Sequence, residues 1–276
     1  MKNLFGLIIL FILGSCAEHL PQDRLTFKIN YQPEKNYRQK IERSSETVVK
    51  YSGTAKSLKK LKEMGLKNPT IISRKAQSEA VLKTGKSDGL YFPVTIEYVK
   101  ASSSDGKPEI PCGSVFRGKC TESDLPMLES VSLNGIDQAT KDGLIKSLQN
   151  LFSQFAFPKE ELKIGQEFSI EKPFTIPMEG STVEMRLTSK YKLVSITNGT
   201  ANFDIQQEYV MEPTLMDNSF HGNGKGQGQL VYDIRNTIFL SYALHTELDL
   251  TKKLDSFEFV LTAKSSFTQT TTLEKD

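Results

Sequence analysis

From Val183 onward the chain repeats one device, a large apolar residue at every second position with polar residues between. Val183, Met185, Leu187, Tyr191 and Leu193 alternate with Glu184, Arg186, Thr188, Lys190 and Lys192. Past Asn198-Gly199, a pair suited to a tight hairpin, Ala201, Phe203, Ile205, Tyr209 and Met211 return along the partner. The pattern recurs in Leu230 to Ile234, in Ile238 to Leu248, and in Phe257, Phe259, Leu261, Ala263 and Phe267. A period of two describes strands with one apolar and one wet face, the habit of antiparallel sheets. Several of these runs exceed the usual five or six residues of a strand. Long one-sided strands of this kind imply a strongly curved sheet wrapped around something.

The first half adds strands and two helices. Leu25, Phe27, Ile29 and Tyr31 alternate, Pro33-Glu34-Lys35 makes a turn, and Tyr37 to Tyr51 alternates again. Ile71 to Lys83 and Leu90 to Lys100 read as strands joined by a turn ending Asp88-Gly89. Between these pairs the period changes. Ala55, Leu58, Leu61 and Met64 form a stripe among Lys56, Lys59, Lys60 and Lys62, with Gly65 as a stop, which predicts a short surface helix packing one narrow face on the sheet. A basic amphipathic helix lying against anionic headgroups is the alternative. Residues 102–127 are rich in Ser, Gly, Pro and Lys and read as a long loop. A second helix is expected from Asp137, its N-cap, to Phe155 ahead of Pro158. Leu144, Ile145, Leu148, Leu151, Phe152 and Phe155 give it a broad apolar stripe.

The expected fold is therefore α+β and mainly antiparallel β: a strongly curved sheet or open barrel with the second helix on its concave face. A β-sandwich with the helix on an edge is the alternative. Residues 25–276 read as one β-rich domain, with a subdivision near residue 157 as an option. Gly222, Gly224, Gly226 and Gly228 fall on one face of a strand, where missing side chains permit a bend or a close approach. The approach expected is by the helix, so these glycines with Leu148 and Phe152 are the candidate lining of a ligand site. The stretch Ala80 to Ser87 satisfies a relaxed phosphate-loop pattern. It lacks the Gly-rich bend and following helix that such a loop needs, so it is read as strand and turn.

At the N-terminus, Lys2 precedes the apolar run Leu4 to Leu13 and the small residues Gly14-Ser15. This is the layout of a secretory signal, and the run is too short to span a bilayer. Leu13-Gly14-Ser15-Cys16 resembles the lipobox of bacterial lipoproteins. The resemblance implies cleavage after residue 15, lipidation of Cys16, a tether over residues 16–24, and a membrane partner reached through that lipid. It also implies a cell-envelope location, with the outer membrane favoured. With Cys16 taken, Cys112 and Cys120 are the remaining pair, and a disulfide between them is expected in an oxidising compartment.

A second resemblance covers about residues 157–245. Pro158 followed by Leu162-Lys163-Ile164-Gly165-Gln166-Glu167-Phe168 is similar to the entry motif of uncharacterised exported lipoproteins of Bacteroidota-type bacteria. Tyr191 to Ile196 and the glycine strand running into Leu230-Val231-Tyr232-Asp233 are similar too. Gln166 and Phe168 replace the Asp and Trp of that pattern, and Thr237 stands where a turn Gly is common. That family implies no activity, so no catalytic residue is carried over.

The formal charge of +2 gives no concentrated basic surface for nucleic acid. Metalloprotease, Ca-loop, paired-Cys redox and nucleophile-elbow patterns are missing, and no metal ligands or cofactor are named by the sequence. His221 and His245 read as ordinary strand residues. The expectation is a lipoprotein holding a lipid or other hydrophobic small molecule in the curved sheet. The alternative is a non-catalytic accessory subunit bound to an envelope protein. An enzyme would have no named residues behind it.

Overall fold

The structure is a computed structural model in which residues 23–121, 125–153, 161–178, 181–211, 220–253 and 256–274 are described. The expected signal sequence, Cys16 and the helix position Phe155 lie outside those residues.

The chain opens with β1 (Arg24–Thr26) and a long strand, β2 (Asn36–Gly53), followed by α1 (Ala55–Glu63). A meander follows: β3 (Thr70–Thr84), β4 (Phe92–Ser103), β5 (Val115–Cys120) and β6 (Met127–Ser132). After α2 (Gln138–Ser153) come β7 (Glu161–Lys163) and a second meander. Its strands are β8 (Glu167–Met178), β9 (Ser181–Thr197), β10 (Thr200–Met211), β11 (Phe220–Asp233), β12 (Ile238–Lys253) and β13 (Phe257–Glu274). The last strand pairs with β2 from Asn36↔Glu274 to Gly53↔Phe257, so both meanders share one sheet. Eleven antiparallel strands run in the order β6-β5-β4-β3-β2-β13-β12-β11-β10-β9-β8, and β1 and β7 form a separate two-stranded sheet. The edges β6 and β8 do not pair with each other, so the sheet curves without closing. It is the open curved sheet expected from the alternation, and a sandwich of two sheets is ruled out.

Cross-strand register carries the apolar face across the whole sheet. Ile41, Gln269, Tyr242, Leu230, Phe203 and Leu193 form one such row. One end of the concave face is filled twice. Over β3–β6 lies α2, whose Leu148 and Phe152 are buried with Tyr37, Leu82, Ile96 and Phe116. Its start is capped by Asp137, whose carboxylate accepts from the Thr140 amide at 2.8 Å. Gln149 ties it to the edge strand, accepting from the Leu128 amide and donating to the Pro126 carbonyl, both at 3.0 Å.

Over β9–β12 lies the N-terminal segment itself. Leu25 and Phe27 are buried with Leu162, Leu193, Phe203 and Tyr232. The Phe27 ring sits 4.6 Å from Tyr232 and 5.4 Å, edge-on, from Phe203. Only Arg24–Thr26 of this segment is a strand. The expected tether therefore gives way to the fold at Arg24, one residue early.

Three expectations are corrected. Residues 102–127 hold a strand: Phe116 faces inward from β5 and pairs with Ile96. The disulfide is absent, because Cys112 and Cys120 are not bonded to each other. Cys112 lies beside the start of the β4–β5 pairing, its thiol donating to the Val99 carbonyl, whereas Cys120 pairs with Phe92 at the other end of β4. A six-residue strand between them spans roughly 20 Å, far beyond the reach of an S–S bond. The third correction concerns the glycines. The cluster that buries α2 comprises residues of β2–β6 with Tyr31 and Ile238, and it contains nothing from the Gly222–Gly228 stretch of β11. The close approach there comes from neighbouring strands.

Candidate groove in the concave face

Away from α2 and the N-terminal segment, the concave face stays open as a groove of about 660 Å³. The sheet curls far enough for its edge strand to form one wall: Ile170, Phe174 and Ile176 of β8 stand across from Arg43 and Ser45 of β2 and Ala76 of β3. Leu187 and Tyr209 from β9 and β10, and Leu248, Ala263 and Phe267 from β12 and β13, make the floor. The β8 wall was legible in Phe168, Ile170, Phe174 and Ile176, which alternate, but Pro173 and Pro177 disguise the run. Proline suits this position, since an edge strand tolerates a missing N–H and resists pairing with another chain.

The glycine stripe lies on β11, between the floor residues of β10 and β12, and none of its four glycines is among the residues that line the groove. Gly224 pairs with Tyr209 on one side and Leu248 on the other, and Gly226 pairs with Gln207 and Thr246. In an antiparallel ladder directly paired residues share a face, so all four glycines lie on the concave side of the sheet. A Cβ at Gly228 would come within 2.0 Å of the Ala243 carbonyl oxygen, and one at Gly224 within 2.7 Å of a Leu248 methyl. The glycines thus let β12 and its side chains fold over β11, which tightens the curl that brings β8 opposite β2.

One row across the groove is polar. The Thr246 and Ser265 hydroxyls are 2.5 Å apart, Gln207 donates to Ser189 at 3.0 Å, and Tyr209 donates to Gln207 at 2.8 Å. Burial pushes the Tyr209 hydroxyl up to about 12. Burial likewise raises Tyr191 and Tyr242, whose hydroxyls are hydrogen-bonded to each other. These phenols stay neutral across the physiological range.

Formal charge is confined to the rims. Arg43 lies 5.1 Å over the Phe267 ring and pairs with Glu109 at 2.5 Å. Arg74 pairs with Asp105 at 3.1 Å and donates to the Lys107 carbonyl at 2.7 Å. On the opposite wall burial holds the Lys172 ammonium below the usual lysine range. An apolar trough with a polar stripe and ion-paired rims can solvate a hydrocarbon chain and offer hydrogen bonds to a polar end.

The candidate residues named from sequence are therefore separated. Gly222, Gly224, Gly226 and Gly228 lie on the concave side of β11, closed over by β10 and β12 rather than lining the groove, whereas Leu148 and Phe152 line a cavity of about 40 Å³ beneath α2. That cavity is large enough for about one water molecule. His221 and His245 are exposed on the opposite face of the sheet. Among the described residues no group of three or more His, Cys, Asp or Glu is placed to hold a metal ion. No protein-family model and no curated protein matches this chain.

Proposed function

We propose that this protein is a cell-envelope lipoprotein, anchored through Cys16, that binds a lipid or other hydrophobic small molecule in the concave groove of its sheet. The observation that carries the reading is the groove itself. A volume of about 660 Å³ lies within the 300–1,000 Å³ typical of small-molecule sites. Its floor presents Leu187, Leu248, Ala263 and Phe267, which no described helix covers. A protein serving only as a scaffold would gain stability by filling such a trough, as α2 fills the other half. Removing apolar surface from water there offers roughly 25 cal/mol per Å² to any hydrocarbon that enters.

The test is binding of a dansyl-labelled fatty acid, with organic extraction of non-covalent lipid from protein purified from envelopes. Ala263→Phe places a ring on the groove floor and is expected to weaken the probe at least tenfold, with the circular dichroism spectrum unchanged. Saturable binding absent from wild type, together with no extractable lipid, would leave the accessory-subunit reading in its place. The anchor is checked separately: Cys16→Ser abolishes incorporation of labelled fatty acid, and retained labelling refutes lipidation at that residue.

A further inference from the structure

We infer that the tip formed by α1 and the start of β3, residues 54–72, docks on the surface of an anionic lipid bilayer. The tip projects from the end of the sheet at which the groove stays open. Leu61 is the buried residue of α1 and seats the helix on the sheet. Thr54 caps its start, accepting from the Ser57 amide, and the Leu66 amide returns to the Leu61 carbonyl past Gly65. The Asn68 side chain then clamps the connection to β2, donating to the Tyr51 carbonyl at 2.7 Å and accepting from its amide at 3.0 Å. The tip is thus a built element with defined outward faces.

Those faces are apolar and basic. Met64, Ile71 and Ile72 are 67%, 61% and 58% exposed, and Leu66 is 40% exposed. An isolated exposed apolar residue is ordinary, but here four fall within nine positions: Met64 and Leu66 at the end of α1, and Ile71 and Ile72 on the two opposite faces of β3, so exposed apolar side chains flank the tip on both sides. Around it stand Lys56, Lys59, Lys60, Lys62 and Lys67 against one carboxylate, Glu63, so this segment alone exceeds the +2 of the whole chain. Apolar side chains beside a cluster of lysines match the boundary between acyl chains and anionic headgroups. An acidic protein would satisfy the lysines while leaving four apolar side chains to find a matching pocket. A bilayer takes both without shape complementarity.

Register joins this surface to the groove. Ile72 pairs with Thr47, Thr47 with Ala263, and Ala263 with Leu248, so Ile72 ends a row that leads through Thr47 to Ala263 and Leu248 of the groove floor. A tip resting on a bilayer would place the groove's open end at the membrane. The inference goes beyond the groove reading and does not depend on it, since docking is measured without any groove ligand.

The chain contains no Trp, so a single introduced indole is the sole reporter. A chain beginning at Ala17 removes the confounding anchor and keeps both sheets, both helices and every core cluster described above. In it, M64W is mixed with vesicles of phosphatidylglycerol or of phosphatidylcholine carrying brominated acyl chains. Blue-shifted, quenched emission is expected with phosphatidylglycerol and none with phosphatidylcholine. V194W, at a position 43% exposed on β9, is expected to show neither change. Neutralising Lys59, Lys60 and Lys62 together with Gln should weaken vesicle binding about a hundredfold, from roughly fivefold per lysine. Unquenched emission from M64W on phosphatidylglycerol, or equal quenching of V194W, overturns the proposal. Charge-dependent binding without quenching overturns it too, and would point to an acidic protein.

Discussion

Among the described residues, Glu79 carries the densest ion-pair cluster on the convex face. Its side chain is only 11% exposed and accepts from Lys100 at 3.0 Å and from Arg38, whose guanidinium also reaches Glu274 at 2.6 Å. The cluster therefore links β3 to β4, β2 and β13 across the join between the two meanders. The Lys100 hydrogen bond, then that of Arg38, holds the Glu79 carboxyl below the usual glutamate range. A carboxylate depressed in the folded state adds stability above its unfolded pKa of about 4.3. That contribution disappears as pH falls through the folded value. Glu79→Gln should therefore lower the urea midpoint at pH 7, and the gap from wild type should close as pH falls below about 4. A gap that is the same at pH 7 and pH 3 would mean that Glu79 acts through packing rather than charge.

Among elements, α2 and the glycine strand show what alternation and periodicity could reveal. The stripe from Leu144 to Phe152 was legible because a helix must bury one face, and Leu148 and Phe152 are buried. What lay opposite was not legible, because nothing local in Gly222–Gly228 states whether a helix or a neighbouring strand fills the missing volume. Short strands were hidden for a related reason. In β5 only Phe116 and Cys120 are buried, too few to stand out from a Gly- and Lys-rich background, and the Cys spacing that resembled a pinned loop is the length of that strand. Since α2 closes a core instead of gating the groove, Leu148→Ala should cost about 2–5 kcal/mol in urea denaturation. The affinity for a fatty-acid probe should stay within about twofold of wild type. A large gain in affinity would instead make the helix a lid.

For the whole molecule, the decisive contact is the one between the chain's ends. Nothing in the alternation of Tyr37 to Tyr51 or of Phe257 to Phe267 named its partner, yet β13 lies between β2 and β12 and, among the described strands, joins the two meanders into one sheet. The subdivision considered near residue 157 would require each meander to bury its own apolar face. The cores do not divide that way. Ile238 of β12 belongs to the cluster under α2, and Leu25 and Phe27 from the N-terminal segment belong to the cluster over β9–β12. Each half therefore supplies side chains to the core of the other. The chain should unfold in urea as one unit, with far-ultraviolet circular dichroism and tyrosine fluorescence giving coincident transitions. Pairings between residues over two hundred positions apart, such as Asn36 with Glu274, also predict slow refolding, since loop closure must precede the reward of pairing. Truncation before Ser256 removes β13, exposing the flanks of β2 and β12 and separating the meanders. The truncated chain should lose the cooperative transition altogether. A cooperative transition in that chain, or two separated transitions in the full one, would show that the halves fold as independent domains.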